Sequence, residues 1–332
     1  MSVRVVVVGA TGNVGTSVVE QLAIDGGVES VVGIARRRPA WHPDKVEWVE
    51  ADVAKDDLGP FFVGADAVIH LAWAFQPSHR PAVTWNVNVI GTARLLRMIE
   101  SAGVPALVVA SSVAAYSPGD KSRRVDEDWP THGWSPAAYC REKAYVERLL
   151  DHFEAVHPST RVVRMRPCFL FQPAAAPEQR RIFAGPLLPE RLVGRFGVPI
   201  VPDLPGLQLQ ALHTEDAARA YVQAIHADVS GAFNLAADPI IDAAAISEVF
   251  GGRTLRLPVR PVRELLAAAW HSRAVPAPPE LFDYVLQMPL MDCSRAHGAL
   301  GWRPRNSAID ALAGLRAGLR GGAGISTPPL AS

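Results

Sequence analysis

The sequence predicts an α/β protein: a doubly wound parallel sheet of about seven strands with a smaller mixed lobe toward the C-terminus. Two observations carry this. Over the first half of the chain, continuous apolar runs of the kind buried on both faces of a parallel sheet alternate with segments of helical spacing. A glycine-punctuated turn, Gly9-Ala-Thr-Gly12-Asn-Val-Gly15, then follows the first of those runs directly.

Taken in order, Val3–Val8 is the first strand, and runs at Val31–Ala35, Val46–Val49, Ala67–Leu71 and Ala106–Ala110 supply four more. Val162–Met165 and Ala232–Leu235 complete the set. Between strands, Val87–Ala102 places Ile90, Leu95, Met98 and Ile99 on one helical face. A further helix starts near Ser135, which can cap, with Pro136 suited to the first helical position. Val146, Leu149, Leu150 and Phe153 follow it at helical spacing. Strands alternating with helices imply right-handed βαβ crossovers. Prolines become frequent from Pro173. The expected division is a main domain over residues 1–172 and 206–236, a smaller lobe over 173–205 and 237–320, and a disordered tail over 321–332.

The chain has 332 residues, room for two domains at about 150 residues each. Apolar residues make up 49% and charged residues 20%, which excludes a disordered or coiled-coil chain. Lys+Arg and Asp+Glu both number 33, so no basic excess points to nucleic acid or an anionic membrane as partner. No apolar run reaches the roughly 18 residues of a spanning helix, and Val5–Val8 is too short for a signal-peptide core. Cys140, Cys168 and Cys293 are odd in number and far apart, as expected of reduced thiols in the cytoplasm. Neither HExxH nor CxxC occurs, so no metal is expected; without GxxxxGK[ST] or GxSxG, ATP chemistry and serine hydrolysis are disfavoured.

The glycine turn is a phosphate site by its chemistry. An anion meeting a helix N-terminus finds unpaired N–H donors and the positive end of the dipole, and glycine lets it approach. Gly9, Thr11, Gly12, Asn13, Val14 and Gly15 are the candidates to hold a dinucleotide there. A cofactor with a free ribose usually meets an acid about 20 residues beyond the glycines. Here that place reads Gly33-Ile-Ala-Arg36-Arg37-Arg38, without a carboxylate between Ser30 and Asp44. Arg36 and Arg37 suit a 2′-phosphate, so NADP is expected ahead of NAD. Asp52 can accept from the adenine amino group with Val53 beside it, and Leu71 and Ala72 end the fourth strand where the cofactor passes the backbone.

Tyr139-Cys-Arg-Glu-Lys143 puts a phenol and an ammonium one helical turn apart. A tyrosine with its ordinary pKa of about 10 is a poor acid–base catalyst, and a neighbouring cation can lower it by about one to three units. Ser112 follows the fifth strand on the carboxyl edge of the sheet, where ligands bind, and Asn88 on the preceding helix faces the same edge.

Gly9, Gly12, Gly15, Ser112, Tyr139 and Lys143, in this order and spacing, resemble the extended short-chain dehydrogenase/reductase family, the epimerase/dehydratase superfamily with its Rossmann fold. The resemblance spans residues 3–315 and takes in Arg166-Pro167, Leu212-His213-Thr214-Glu215-Asp216 and Leu300-Gly301-Trp302-Arg303-Pro304. It implies that Tyr139 is the acid–base, that Lys143 binds the nicotinamide ribose, that Ser112 holds the substrate oxygen and that Pro167 borders the cofactor. It also implies a possible homodimer, built on the helices around Met98 and Val146. Family dehydratases carry Thr-Asp-Glu where this chain has Ser112-Val113-Ala114, and epimerases an Asn where Phe169 stands.

These departures point to a small-molecule substrate less polar than a nucleoside-diphosphate sugar, in a pocket walled by Trp73, Phe75, Trp85, Trp134 and Phe169. The expected function is NAD(P)-dependent interconversion of a ketone and a secondary alcohol. The alternative is sugar or sugar-nucleotide epimerisation in the same site, and a third reading is a non-catalytic NADP-binding sensor.

Overall fold

In a computed structural model, residues 2–76, 78–184, 198–322, 324–325 and 327–330 are described. Residues 185–197 of the expected second lobe therefore lie outside them. Seven strands form one sheet: β1 (Val3–Val8), β2 (Val28–Ala35), β3 (Val46–Glu50), β4 (Ala67–His70), β5 (Ala106–Ala110), β6 (Arg161–Pro167) and β7 (Gly231–Leu235). Their spatial order is β3-β2-β1-β4-β5-β6-β7, and every neighbouring pair is parallel. The order reverses between β1 and β4. In such a sheet the loops leaving these two strands diverge and open a crevice at their carboxyl ends.

Alternation along the strands feeds two cores. Val5, Val7 and Ile69 face one layer with Val18 and Leu22 of the helix Asn13–Ile24. Val6, Val8 and Val68 face the other with Leu95 and Ile99 of Gly91–Ala102 and Leu150 of Ala138–Val156. Ile90, expected on the buried face, is 44% exposed. The reason is local: residues Asn86–Ile90 form a π-helical turn ahead of Gly91, which rotates the face by an extra residue.

The helix expected from Ser135 begins at Ala138 without a side-chain cap. Arg141 donates instead to the Ser135 and Pro136 carbonyls, which holds those two residues in a preceding turn.

A second, three-stranded sheet is mixed. Gln208–His213 pairs antiparallel with Ala237–Asp242 and parallel with Phe169–Phe171. Thus Phe169–Phe171 and Gln208–His213, expected in the main domain, belong to this second sheet. Ile200–Asp203 pairs with Arg253–Arg256, and Arg124–Val125 pairs with Leu290–Met291. The tail expected to be disordered begins with Gly321 still helical, and its described residues carry buried Thr327 and Leu330 in a hydrogen-bonded turn.

Candidate active site

The crevice starts at the glycine turn. Gly9 has φ +88°, and a Cβ there would stand 2.5 Å from Ala72 N, so only glycine lets the loops after β1 and β4 meet. A Cβ on Gly15 would come 2.2 Å from Gly9 O. Gly12 precedes the helix Asn13–Ile24 and no side chain caps it. First-turn N–H groups and the dipole are thereby presented to the crevice, a cradle that fits the diphosphate of NAD(P).

Asn13 ties this turn to Leu170, Gln172 and Thr214. Its side chain donates to Leu170 O at 3.3 Å and accepts from Gln172 Nε2 at 2.9 Å and Thr214 Oγ1 at 3.1 Å. His213 caps the helix Thr214–His226 by accepting from Glu215 N.

A cavity of about 650 Å³ runs on from the cradle. Gly9, Gly12, Asn13, Val14, Gly15, Leu71, Trp73, Phe75, Ser112, Tyr139, Lys143, Pro167 and Phe169 all line it. Other expected residues do not. Thr11 is buried in the loop, Val53 packs beneath Gly91, and Asp52 accepts from Ala54 N at 2.9 Å, capping its own turn. Arg36 and Arg37 are exposed past the end of β2, whereas Arg38 donates to Trp48 O at 2.6 Å. Trp134 and Trp85, expected as pocket walls, lie elsewhere: Trp134 packs on the main core, and Trp85 lies against Tyr145 with ring centroids 4.9 Å apart.

Asn88 departs most from expectation. Fully buried, it donates to Ala74 O at 2.9 Å and accepts from Ala74 N at 2.7 Å. Its amide also donates to Glu142 Oε2 at 2.6 Å, and Thr84 donates to Glu142 Oε1 at 2.6 Å. Rather than facing the cavity, Asn88 pins the segment between Trp73 and Phe75. Burial pushes the Glu142 carboxyl up, against the pull of these hydrogen bonds.

The pinned aromatics clasp the reactive groups. Phe75 stacks on Tyr139 at 5.1 Å and Trp73 meets it edge-on at 5.8 Å. The Tyr139 hydroxyl donates to Ser112 Oγ at 3.2 Å, while Ser112 Oγ accepts from Ala114 N at 3.1 Å. Lys143, 3% exposed, donates to Ala110 O at 2.7 Å and lies 3.5 Å over the Trp73 ring. Burial pushes Lys143 down to about 7, with Glu147 and Glu142 opposing. The expected depression of Tyr139 is not what the structure gives. Burial drives its phenol well above the usual range, with the Ser112 hydrogen bond the main opposing influence. The ammonium is instead engaged by Ala110 and Trp73.

The far wall escaped the sequence reading. Leu266 on Val259–His271, and Leu281, Phe282 and Val285 on Pro279–Gln287, close the cavity together with Ile182 and Met288. These segments lie more than a hundred residues beyond Tyr139, and nothing in their local pattern marks them as facing it. Glu178, Gln179 and Tyr221 also line the cavity. Among the described residues no group of three or more His, Cys, Asp or Glu could hold a metal, and no helix is long and apolar enough to cross a membrane.

A parallel sheet with a glycine cradle at its switch point, and Ser, Tyr and Lys beside it, defines a dinucleotide-binding α/β protein of the Rossmann type. The chain belongs to the NAD dependent epimerase/dehydratase family, whose pattern matches residues 5–236. It is 26% identical to UDP-glucose 4-epimerase of Mycolicibacterium smegmatis over 93% of this chain and 96% of that one. It is also 26% identical to an uncharacterized protein of Mycobacterium tuberculosis over 97% of its length, but spans only 31% of that longer relative. Its fold is similar to that of Thermus thermophilus UDP-glucose 4-epimerase in complex with NAD, with a TM-score of 0.71 at 21% identity, covering 96% of this chain and 99% of that one.

Proposed function

We propose that the chain catalyses NAD(P)-dependent hydride exchange at a secondary alcohol or ketone carbon of a small molecule. The supporting observation is the Ser112–Tyr139 hydroxyl pair, 3.2 Å apart on a cavity continuous with the glycine cradle. Bound across Gly9, Gly12 and Gly15, NAD(P) would supply the hydride donor or acceptor. Tyr139 gives or takes the proton at the substrate oxygen, Ser112 holds that oxygen, and Lys143, which lines the same cavity, would bind the nicotinamide ribose. Arg36 and Arg37, with no acid at the end of β2, favour NADP over NAD.

Two net outcomes share this chemistry. Epimerisation, in which the transient ketone is reduced again from its other face, is supported by the family and by the Mycolicibacterium relative. Net ketone–alcohol interconversion is supported by the apolar far wall of Leu266, Phe282 and Val285. Nicotinamide absorbance separates them. Steady consumption of added cofactor with substrate marks the oxidoreductase; substrate inversion without net consumption marks the epimerase. Neither nicotinamide turnover nor inversion at the carbinol carbon with sugar, sugar-nucleotide or apolar alcohol and ketone substrates would reject both.

A further inference from the structure

The Ser112, Tyr139 and Lys143 set accounts for one polar end of the cavity and leaves two adjacent side chains without a role. Glu178 and Gln179 close the short helix Ala176–Gln179 and line the same space. Gln179 is fixed, because its amide nitrogen donates to Leu170 O, the carbonyl that also accepts from Asn13. Its Oε1 is buried, closed off from the cavity, and has no partner among the described residues, which leaves the Glu178 carboxyl as the acceptor on this part of the lining. Glu178 makes no hydrogen bond or ion pair among the described residues, and Arg181 reaches it only as a more distant charge. Around them the lining is apolar, with Ile182, Leu266 and Phe282.

Acceptors set in an apolar wall cost free energy until a donor reaches them. A carboxyl set there welcomes an N–H or O–H group and repels an anion, whose oxygens can only accept. Arg181, outside the lining, offsets the burial of Glu178 only in part. Among the described residues of the lining, Lys143 is the other charged side chain, and Ala110 O and Trp73 already engage it. Burial raises the Glu178 carboxyl to about 7, so near neutral pH it holds its proton part of the time and meets an alcohol as readily as an amine.

We infer that Glu178 anchors an amino or hydroxyl group on an otherwise apolar substrate frame and selects against phosphate- or carboxylate-bearing molecules. This rests on the reading of the cavity as the substrate chamber of a hydride-exchanging enzyme, and narrows it to neutral or cationic substrates.

The test uses the full chain saturated with NADP and three probes on one frame: a cyclohexanol bearing a phenyl ring that carries an aminomethyl, a hydroxymethyl or a carboxylate group. Calorimetry measures their affinities without requiring turnover. The aminomethyl and hydroxymethyl probes should bind at least about tenfold tighter than the carboxylate. Glu178→Lys should invert that order. The isosteric Glu178→Gln should lower the aminomethyl affinity about tenfold and change the hydroxymethyl affinity less. Equal affinities of the three probes for the native chain, or an unchanged order in both variants, would overturn the anchor. Nicotinamide turnover and inversion at the carbinol carbon, followed with sugar, sugar-nucleotide and apolar alcohol and ketone substrates, separate the two readings. The expected affinity order with neither of them supports the anchor and sinks the catalytic reading; either of them without the affinity order sinks the anchor alone.

Discussion

The ammonium of Lys143 lies 3.5 Å above the indole ring of Trp73. A cation over an aromatic face is favoured in its charged form, and the ring therefore works against the burial that holds Lys143 near 7. Catalysis that needs the charged lysine falls as pH rises through that value. Trp73→Leu removes the ring and should move the fall to lower pH, by about one and a half units on the scale of a desolvated cation–π contact of about 2 kcal/mol. Trp73→Phe should move it less. The profile of kcat/KM against pH measures this, and an unmoved limb in both variants would leave Trp73 with a packing role only.

The hydroxyl pair makes a sharper demand. Tyr139→Phe keeps the ring between Phe75 and Trp73 and removes only the proton carrier. Turnover should drop by about a thousandfold, within the range expected for a positioned acid–base group. NADPH affinity, set at the glycine cradle, should stay unchanged. Ser112→Ala should cost less, about a hundredfold, since Tyr139 can still move the proton. Fluorescence titration of NADPH beside steady-state rates gives both quantities. Native turnover in Tyr139→Phe would remove the phenol from the mechanism.

The parts legible in the sequence are those in which a residue's role is decided within a few neighbours. Val5–Val8 is buried on both faces because the sheet is parallel, and its run of valines says so. Gly9 and Gly15 are glycine because backbone atoms occupy the space of a side chain, and the turn that demands this is contiguous. Tyr139 and Lys143 share a helix face by spacing alone. What escaped was assembled across long separations. Asn88 looks from its position like a cofactor ligand, but Ala74 and Glu142 claim its amide. Lys143 meets Trp73 rather than acting on Tyr139, because the segment after β4 folds across the helix Ala138–Val156. Trp134 and Trp85 illustrate the same limit: a tryptophan's size is visible in sequence, whereas the surface it covers is not.

On the proposed reading, cofactor choice would turn on Arg36 and Arg37, exposed past β2 with no acid beside them. Each charged contact to a 2′-phosphate contributes about 1.5–3 kcal/mol, so Arg36→Ala and Arg37→Ala should each weaken NADPH binding by about ten- to a hundredfold. NADH binding should be unaffected, because its ribose carries no phosphate to lose. Titrating both nucleotides against the three proteins decides the matter. Native affinity for NADH equal to or tighter than for NADPH would reverse the preference.

Behind Ser112 lies a buried ionic knot that couples the site to stability. Glu147 accepts from Ser111 Oγ at 2.5 Å, from Arg166 at 2.9 and 3.0 Å and from Arg164 at 2.9 Å. Burial pushes this carboxyl up, but Arg166, Arg164 and Ser111 together outweigh it and hold it down at about 2, below its ordinary 4.5. A carboxylate depressed by folding lends stability that is present above its unfolded pKa and lost as pH falls through the folded one. Glu147→Gln leaves the Arg166 guanidinium buried without its anion, whereas Arg164 keeps Asp151 and Glu154, and should cost about 3 kcal/mol at neutral pH. That deficit should narrow as pH drops from about 4.5 toward about 2, where the native chain loses the same charge by protonation. Urea unfolding at a series of pH values reads the difference directly. A deficit that stays constant across the acid range would mean that Glu147 acts by shape and not by charge.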